Sequence, residues 1–273
     1  MSQTHTDLKG QFALILGASS GFGGATAQEL ARHGVHIFGV HLDRSLTMPV
    51  VEATIAGVTA HGVEAHYFNV NAADAGKRAA VVAAIKQRMA ADPSGPQTVR
   101  VLMHSLAFGT LRSYITENPK EAISQAQMEM TLNVMANSLV YWTQDLFHAG
   151  LLAEGSRIYA MTSAGSTRVV ATYGAVSAAK AALESHVRQL AMELAPHKVT
   201  VNAIRAGVTD TAALRKIPGA GQLLAHAAAG NPSGRTTTPQ DVARAIATLA
   251  TDGSYWITGN TIGVDGGEDI ASW

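Results

Sequence analysis

Cysteine is absent from the 273-residue chain. That absence excludes disulfides, thiolate nucleophiles, Cys-ligated zinc and iron–sulfur clusters, and it fits a reducing cytoplasm. Net charge is missing as well, since Lys+Arg and Asp+Glu number 20 each. With no basic run either, nothing draws the chain to nucleic acid or to an anionic membrane, and a specific small-molecule pocket is expected instead. No apolar run approaches the ~20 residues of a membrane span, and the polar start MSQTHTDLKGQ lacks the layout of a signal peptide. A soluble, cytoplasmic protein is therefore expected. The 11 histidines include no HExxH-type pair, so no metal site is predicted. Without metal or thiol, any redox chemistry would need an organic cofactor.

What the sequence does hold is material for a core: 47% of residues are hydrophobic and 15% charged. Short β-like apolar runs occur at 12–16, 35–40, 64–70, 99–104, 156–162, 198–204 and 260–265, separated by segments of helical length. This alternation predicts one doubly wound α/β domain, a seven-stranded parallel sheet with helices on both faces. Gly/Pro clusters at 91–97 and 230–234 read as loops within that domain, no linker divides it, and residues 1–8 are expected to be flexible. In such a sheet ligands bind beyond the carboxyl ends of the strands, so functional residues should follow the runs.

The stretch GASSGFG, residues 17–23, follows the first run and opens a helical pattern. Glycines in a strand–loop–helix turn let a pyrophosphate approach the backbone N–H groups at a helix N-terminus. After the second run, Asp43 and Arg44 stand side by side. An acid there suits the ribose hydroxyls of NAD and an Arg suits the 2′-phosphate of NADP, so both remain open, with Arg44 beside Ser45 leaning toward NADPH.

Tyr173 and Lys180 are seven residues apart at the head of a helical pattern. Two turns place them on one face, about 10 Å apart along the axis. An ammonium near a phenol favours the phenolate, and a substrate oxygen there can take a hydrogen bond or a proton.

Taken together, GASSGFG, HSLA (104–107), Asn133 in LNV, YGAVSAAK (173–180), VNAIRAG (201–207) with Thr211, and ITGNTIGVDGG (257–267) resemble the short-chain dehydrogenase/reductase superfamily over nearly the whole chain. Within it the chain looks most like the enoyl-acyl-carrier-protein reductases. Most superfamily members carry their tyrosine four residues before the lysine, where this chain has Val176; the seven-residue step is the enoyl reductase pattern. HSLA points the same way. Ser163 replaces the second tyrosine of many enoyl reductases, and AG stands where PG is usual.

The resemblance implies a Rossmann-type fold and NADPH or NADH as cofactor. Gly17, Ser19, Ser20, Gly21, Phe22, Gly23, Asp43, Arg44, Asn69, Val70, Ser105, Leu106, Ala107, Lys180, Gly207, Val208 and Thr211 would contact it. Tyr173, Lys180, Ser163 and Asn133 would be the catalytic set. Tyr173 would donate to the enolate oxygen, Lys180 would hold the nicotinamide ribose, and Asn133 would support a helix turn behind it. A flap over about 208–235, with Leu214, Ile217, Leu223 and Leu224, would cover a carrier-bound acyl thioester, and a homotetramer would be the assembly. The leading expectation is reduction of an enoyl thioester. Carbonyl reduction of a 3-oxoacyl or other ketone is the alternative, because Ser163 beside Tyr173 also suits an alkoxide. A non-catalytic dinucleotide sensor is the remote one.

Overall fold

The computed structural model describes residues 8–92 and 97–271. Seven strands run in parallel in the order β3-β2-β1-β4-β5-β6-β7. They are β1 Phe12–Leu16, β2 His36–His41, β3 Ala65–Asn69, β4 Val99–His104, β5 Arg157–Ser163, β6 Thr200–Ala206 and β7 Thr261–Val264. Each matches an expected run, β1 and β4 to the residue and the others with ends moved by one or two; β6 begins late because Lys198 takes a left-handed turn at φ 55°. Of the stretch expected to be flexible, residues 1–7 lie outside the described residues, and Leu8 is buried in the core. Residues 93–96 of the first Gly/Pro cluster also lie outside them.

Period-two alternation along the central strand sorts its side chains between two cores. Phe12, Leu14 and Leu16 face Ile85, Trp142 and Leu183, while Ala13 and Ile15 face Leu30, Val58 and Ile246. The first core is closed by helices α3 Ala75–Ala90, α4 Gln125–Leu132, α5 Ser138–His148 and α6 Gly174–Leu194. The second is closed by α1 Gly21–Arg32, α2 Met48–Thr59 and α8 Pro239–Leu249. Helix ends follow local chemistry: Asp74 caps α3 through Lys77 N, and Thr238 with Asp241 forms a capping box ahead of α8, whose first residue is Pro239. The remaining helix, α7 Ala220–Gly230, lies in the stretch expected to form the flap.

Strand order reverses between β1 and β4, which opens a crevice at their carboxyl ends. Among the described residues, no helix is long and apolar enough to cross a membrane, and no group of three or more His, Asp or Glu is placed to hold a metal ion.

Leu102 on β4 is fully buried in the first core. Leu102→Ala should lower unfolding stability by about 2–5 kcal/mol, read as a lower denaturant midpoint at unchanged slope. A midpoint within error of wild type would contradict this packing.

Candidate active site

The glycine loop lies at the strand-order reversal. A Cβ on Gly17 (φ +89°) would stand 2.5 Å from the Ser105 carbonyl oxygen, and one on Gly23 would stand 2.1 Å from the Gly17 carbonyl oxygen. Side chains are thus excluded where the loops after β1 and β4 cross, a contact closed by Ser105 N–H donating to Leu16 O at 2.8 Å. Thr54 fixes the loop from outside by donating to Ser19 O at 2.9 Å. Ser20 precedes α1 without a side-chain cap, and the first turn of α1 carries no acid. That helix start therefore has no cap or acid of its own to offset its positive dipole end.

Beyond β2 the two neighbours expected to discriminate between cofactors separate. Asp43 turns inward: His41 Nδ1 lies 3.0 Å from its carboxylate, its N–H donates to Asn69 Oδ1 at 3.0 Å, and Asn69 Nδ2 donates to its carbonyl at 2.9 Å. Burial pulls the Asp43 carboxyl upward, but hydrogen bonds from Thr47, Ser19 and His41 outweigh it and hold the group below its usual range. Arg44 is exposed. Asn69, expected to contact the cofactor, clasps the Asp43 backbone with its side chain. Val70 continues from β3, donating to His41 O at 2.8 Å and packing on the first core.

At the other side of the crevice a cavity of about 350 Å³ brings together Phe22, Ser105, Leu106 and Ala107 with Ser163, Tyr173, Lys180, Gly207, Val208 and Thr211. Tyr173 sits at the start of α6, aimed there by Thr172, which adopts the left-handed conformation (φ 62°) that branched residues rarely take. Its ring lies over Gly165, where an added Cβ would be 2.6 Å from the ring and 3.2 Å from Ser163 Oγ. Burial pushes the phenol up from its ordinary value, with partial relief from Ser163, so it stays protonated and able to donate. Ser163 Oγ is buried and has no hydrogen bond of regular geometry among the described residues. Val176, at the position where most relatives carry tyrosine, is a core residue at 4% exposure.

Lys180 is 5% exposed and donates to Met161 O at 2.6 Å. Burial lowers its pKa to about 8, partly offset by Glu184 one turn on, itself bonded by Thr162 at 2.6 Å. Behind it His104 is fully buried, its Nε2 2.8 Å from Ser138 Oγ; burial and the Lys180 charge lower its pKa to about 3 and keep it neutral. Asn133 stands outside the cavity wall, at the head of a π-helical turn, Asn133–Asn137, that packs on α6.

Two charged residues of the cavity wall escaped the sequence reading. Glu268 accepts from Val208 N–H at 3.0 Å, and Arg168 donates to Asp269 at 2.8 Å. The signal for Glu268 was the rule already applied to the other strands, since it follows the end of β7. Leu214, Ile217, Leu223 and Ala227 supply an apolar wall from the α7 region.

A parallel sheet with a glycine loop at its strand reversal and a tyrosine–lysine pair on the facing helix defines a short-chain dehydrogenase/reductase. A family model described as enoyl-(acyl carrier protein) reductase matches residues 17–268, and the chain belongs to that family. It is 36% identical over 173 residues to the enoyl-acyl-carrier-protein reductase (NADH) FabI of Synechocystis sp., covering 62% of this chain and 64% of that one. The match thus spans somewhat under two thirds of that relative. Against the 3-oxoacyl-acyl-carrier-protein reductase FabG of Pseudomonas aeruginosa it is 30% identical, over 95% of this chain and 98% of the other. The crystal structure of the enoyl-acyl-carrier-protein reductase (NADH) of Aquifex aeolicus superposes with a TM-score of 0.78 at 25% identity, covering 96% of this chain and 98% of that one.

The buried lysine gives a signature in stability. Unfolded, Lys180 keeps its proton up to its ordinary 10.5, whereas folded it releases it near 8. Between those values unfolding takes up a proton, so this group adds stability as pH rises, and below about 8 its burial cost is constant. The stability of wild type relative to Lys180→Met should therefore climb by up to about 1.4 kcal/mol per pH unit from about 8 to 10.5 and be flat below. Denaturation of both proteins across that range checks it; a pH-independent difference would contradict the burial.

Proposed function

We propose that the chain reduces the C=C bond of an enoyl thioester, carried on acyl carrier protein or coenzyme A, with a nicotinamide dinucleotide as hydride source. The observation that carries this is the Tyr173–Lys180 step of seven, with Val176 buried at the alternative tyrosine position and the phenol facing the same cavity as Lys180. The residues fit the dinucleotide: Gly17 and Gly23 let the loop fold tightly against Ser105 and against itself, and the uncapped start of α1 suits a pyrophosphate. Asp43 favours NADH over the phosphorylated form that Arg44 suggested, because an inward carboxylate accepts from ribose hydroxyls and repels a 2′-phosphate. The relatives' names, which carry NADH, support the same choice.

When bound, the dinucleotide supplies hydride for the β-carbon of the enoyl group. Negative charge then develops on the thioester oxygen, and Tyr173 O–H is the donor aimed at it. A preorganised donor in a site shielded from water is worth about 3 kcal/mol. Ser163, whose buried Oγ lies beside the phenol, is a second donor for that oxygen. Lys180 keeps positive potential under the site and would hold the cofactor ribose, while Asn133 holds the helix turn behind it. The apolar wall from Leu214 to Ala227 belongs to the flap that takes the acyl chain and excludes water. A homotetramer is part of the same proposal, supported by exposed Tyr141 and Met192 on α5 and α6 and by Tyr255 and Trp256 before β7.

Carbonyl reduction is the second reading, favoured by Ser163 beside Tyr173 and by the near full-length match to the 3-oxoacyl reductase. Crotonyl and acetoacetyl thioesters assayed side by side with NADH and NADPH separate them. Turnover of crotonyl thioester with NADH is expected; turnover of the ketone alone would overturn the proposal. Tyr173→Phe should lower kcat by roughly 10²–10³-fold and leave dinucleotide affinity within about twofold. Asp43→Asn should cut the preference for NADH over NADPH by roughly tenfold, and an unchanged ratio would remove Asp43 from the cofactor site.

A further inference from the structure

We infer that His226, on the flap helix α7, is the acid that delivers a proton to the α-carbon of the substrate once hydride has reached the β-carbon. This rests on the enoyl reductase reading above and names a residue for the half of the reaction that Tyr173 and Lys180 leave unserved.

Reduction of a C=C bond adds two hydrogens. Hydride brings an electron pair to the β-carbon, and the pair of the double bond moves toward the α-carbon and the thioester oxygen. Tyr173 and Ser163 meet the charge at that oxygen, not at the carbon. The Cα–H bond then forms as an imidazolium N–H bond breaks, the C=O bond is restored, and the neutral imidazole recovers a proton from solvent. One hydride and one proton are added in all, and no further reactant is consumed.

The helix α7 turns one stripe toward the cavity that holds Tyr173 and Lys180. Leu223, His226, Ala227 and Gly230 stand at i, i+3, i+4 and i+7, and all four line it. Ala227 and Gly230 are buried whereas His226 is exposed, so the imidazole meets the cavity on one side and solvent on the other. That placement suits a flap that keeps water from the reacting carbon, because the proton must then come through a side chain. Imidazole is the side chain whose proton exchange is matched to neutral pH. The other proton-bearing groups of the wall are engaged. Lys180 donates to the Met161 carbonyl, Arg168 is paired with Asp269, and Glu268 accepts from the Val208 N–H. Lys216 also lines the cavity, but an ammonium gives up its proton less readily than an imidazolium.

The test follows each new hydrogen separately. Crotonyl thioester is reduced in D₂O to place deuterium at the α-carbon, and in H₂O with C4-deuterated dinucleotide to place it at the β-carbon; the labelled face is read by NMR of a chiral derivative of the product. Wild type should label a single face at both carbons. His226→Gln should keep single-face labelling at the β-carbon, which shows that fold and hydride delivery are intact, while labelling at the α-carbon falls to a mixture of faces and kcat drops by roughly 10²-fold. Single-face labelling at the α-carbon in His226→Gln would overturn the inference. A readout without turnover is the ring Cε1–H resonance that wild type shows and His226→Gln lacks. It should shift on adding butyryl-coenzyme A to protein saturated with oxidised dinucleotide, and an unmoved resonance would also overturn the inference. A wild-type chain that leaves crotonyl thioester unreduced overturns the enoyl reductase proposal and this inference together, whereas wild-type reduction with both α-carbon faces labelled equally overturns this inference alone.

Discussion

A lysine ammonium held inside the protein is the constraint around which the rest of the site is arranged. Lys180 is kept there by the Met161 carbonyl and by the charge of Glu184, which is itself bonded to Thr162 on the same strand. These two contacts fix the register of α6 against β5, and the register in turn sets Tyr173 at the cavity and Val176 in the core. The same charge helps keep His104 neutral, so its imidazole can bond Ser138 within the first core without adding a second buried cation.

The opposite half of the crevice depends on backbone rather than charge. Gly17, Gly23 and Ser105 approach one another so closely that no side chain fits between them. That close crossing leaves the start of α1 open to an anionic ligand. One half thus suits phosphate and the other suits a reacting oxygen, and the parallel sheet brings together two stretches of chain more than 150 residues apart.

The sheet was legible because parallel strands covered on both faces must be apolar, and each of the seven runs formed a strand. The glycine loop and the Tyr173–Lys180 pair were legible for a similar reason: each is a local spacing with a local consequence. What escaped was set by long-range contacts. Asp43 and Arg44 are adjacent in sequence, and only Asn69 and His41, brought alongside by β3 and β2, turn one inward. Nothing local shows that the Asn69 amide clasps the Asp43 backbone. Glu268 gains its place only when β7 pairs with β6 and carries the chain end to Val208.

The chemistry turns on which carbon receives hydride, since Tyr173 could face an enolate oxygen or an alkoxide. A single turnover with nicotinamide dinucleotide deuterated at C4 on the transferred face, using a substrate that carries both a C=C bond and a ketone, locates that carbon directly. Deuterium at the β-carbon of a saturated thioester, read by NMR of the product, is the result expected of an enoyl reductase. Deuterium on a newly formed carbinol carbon, with the double bond intact, would contradict it.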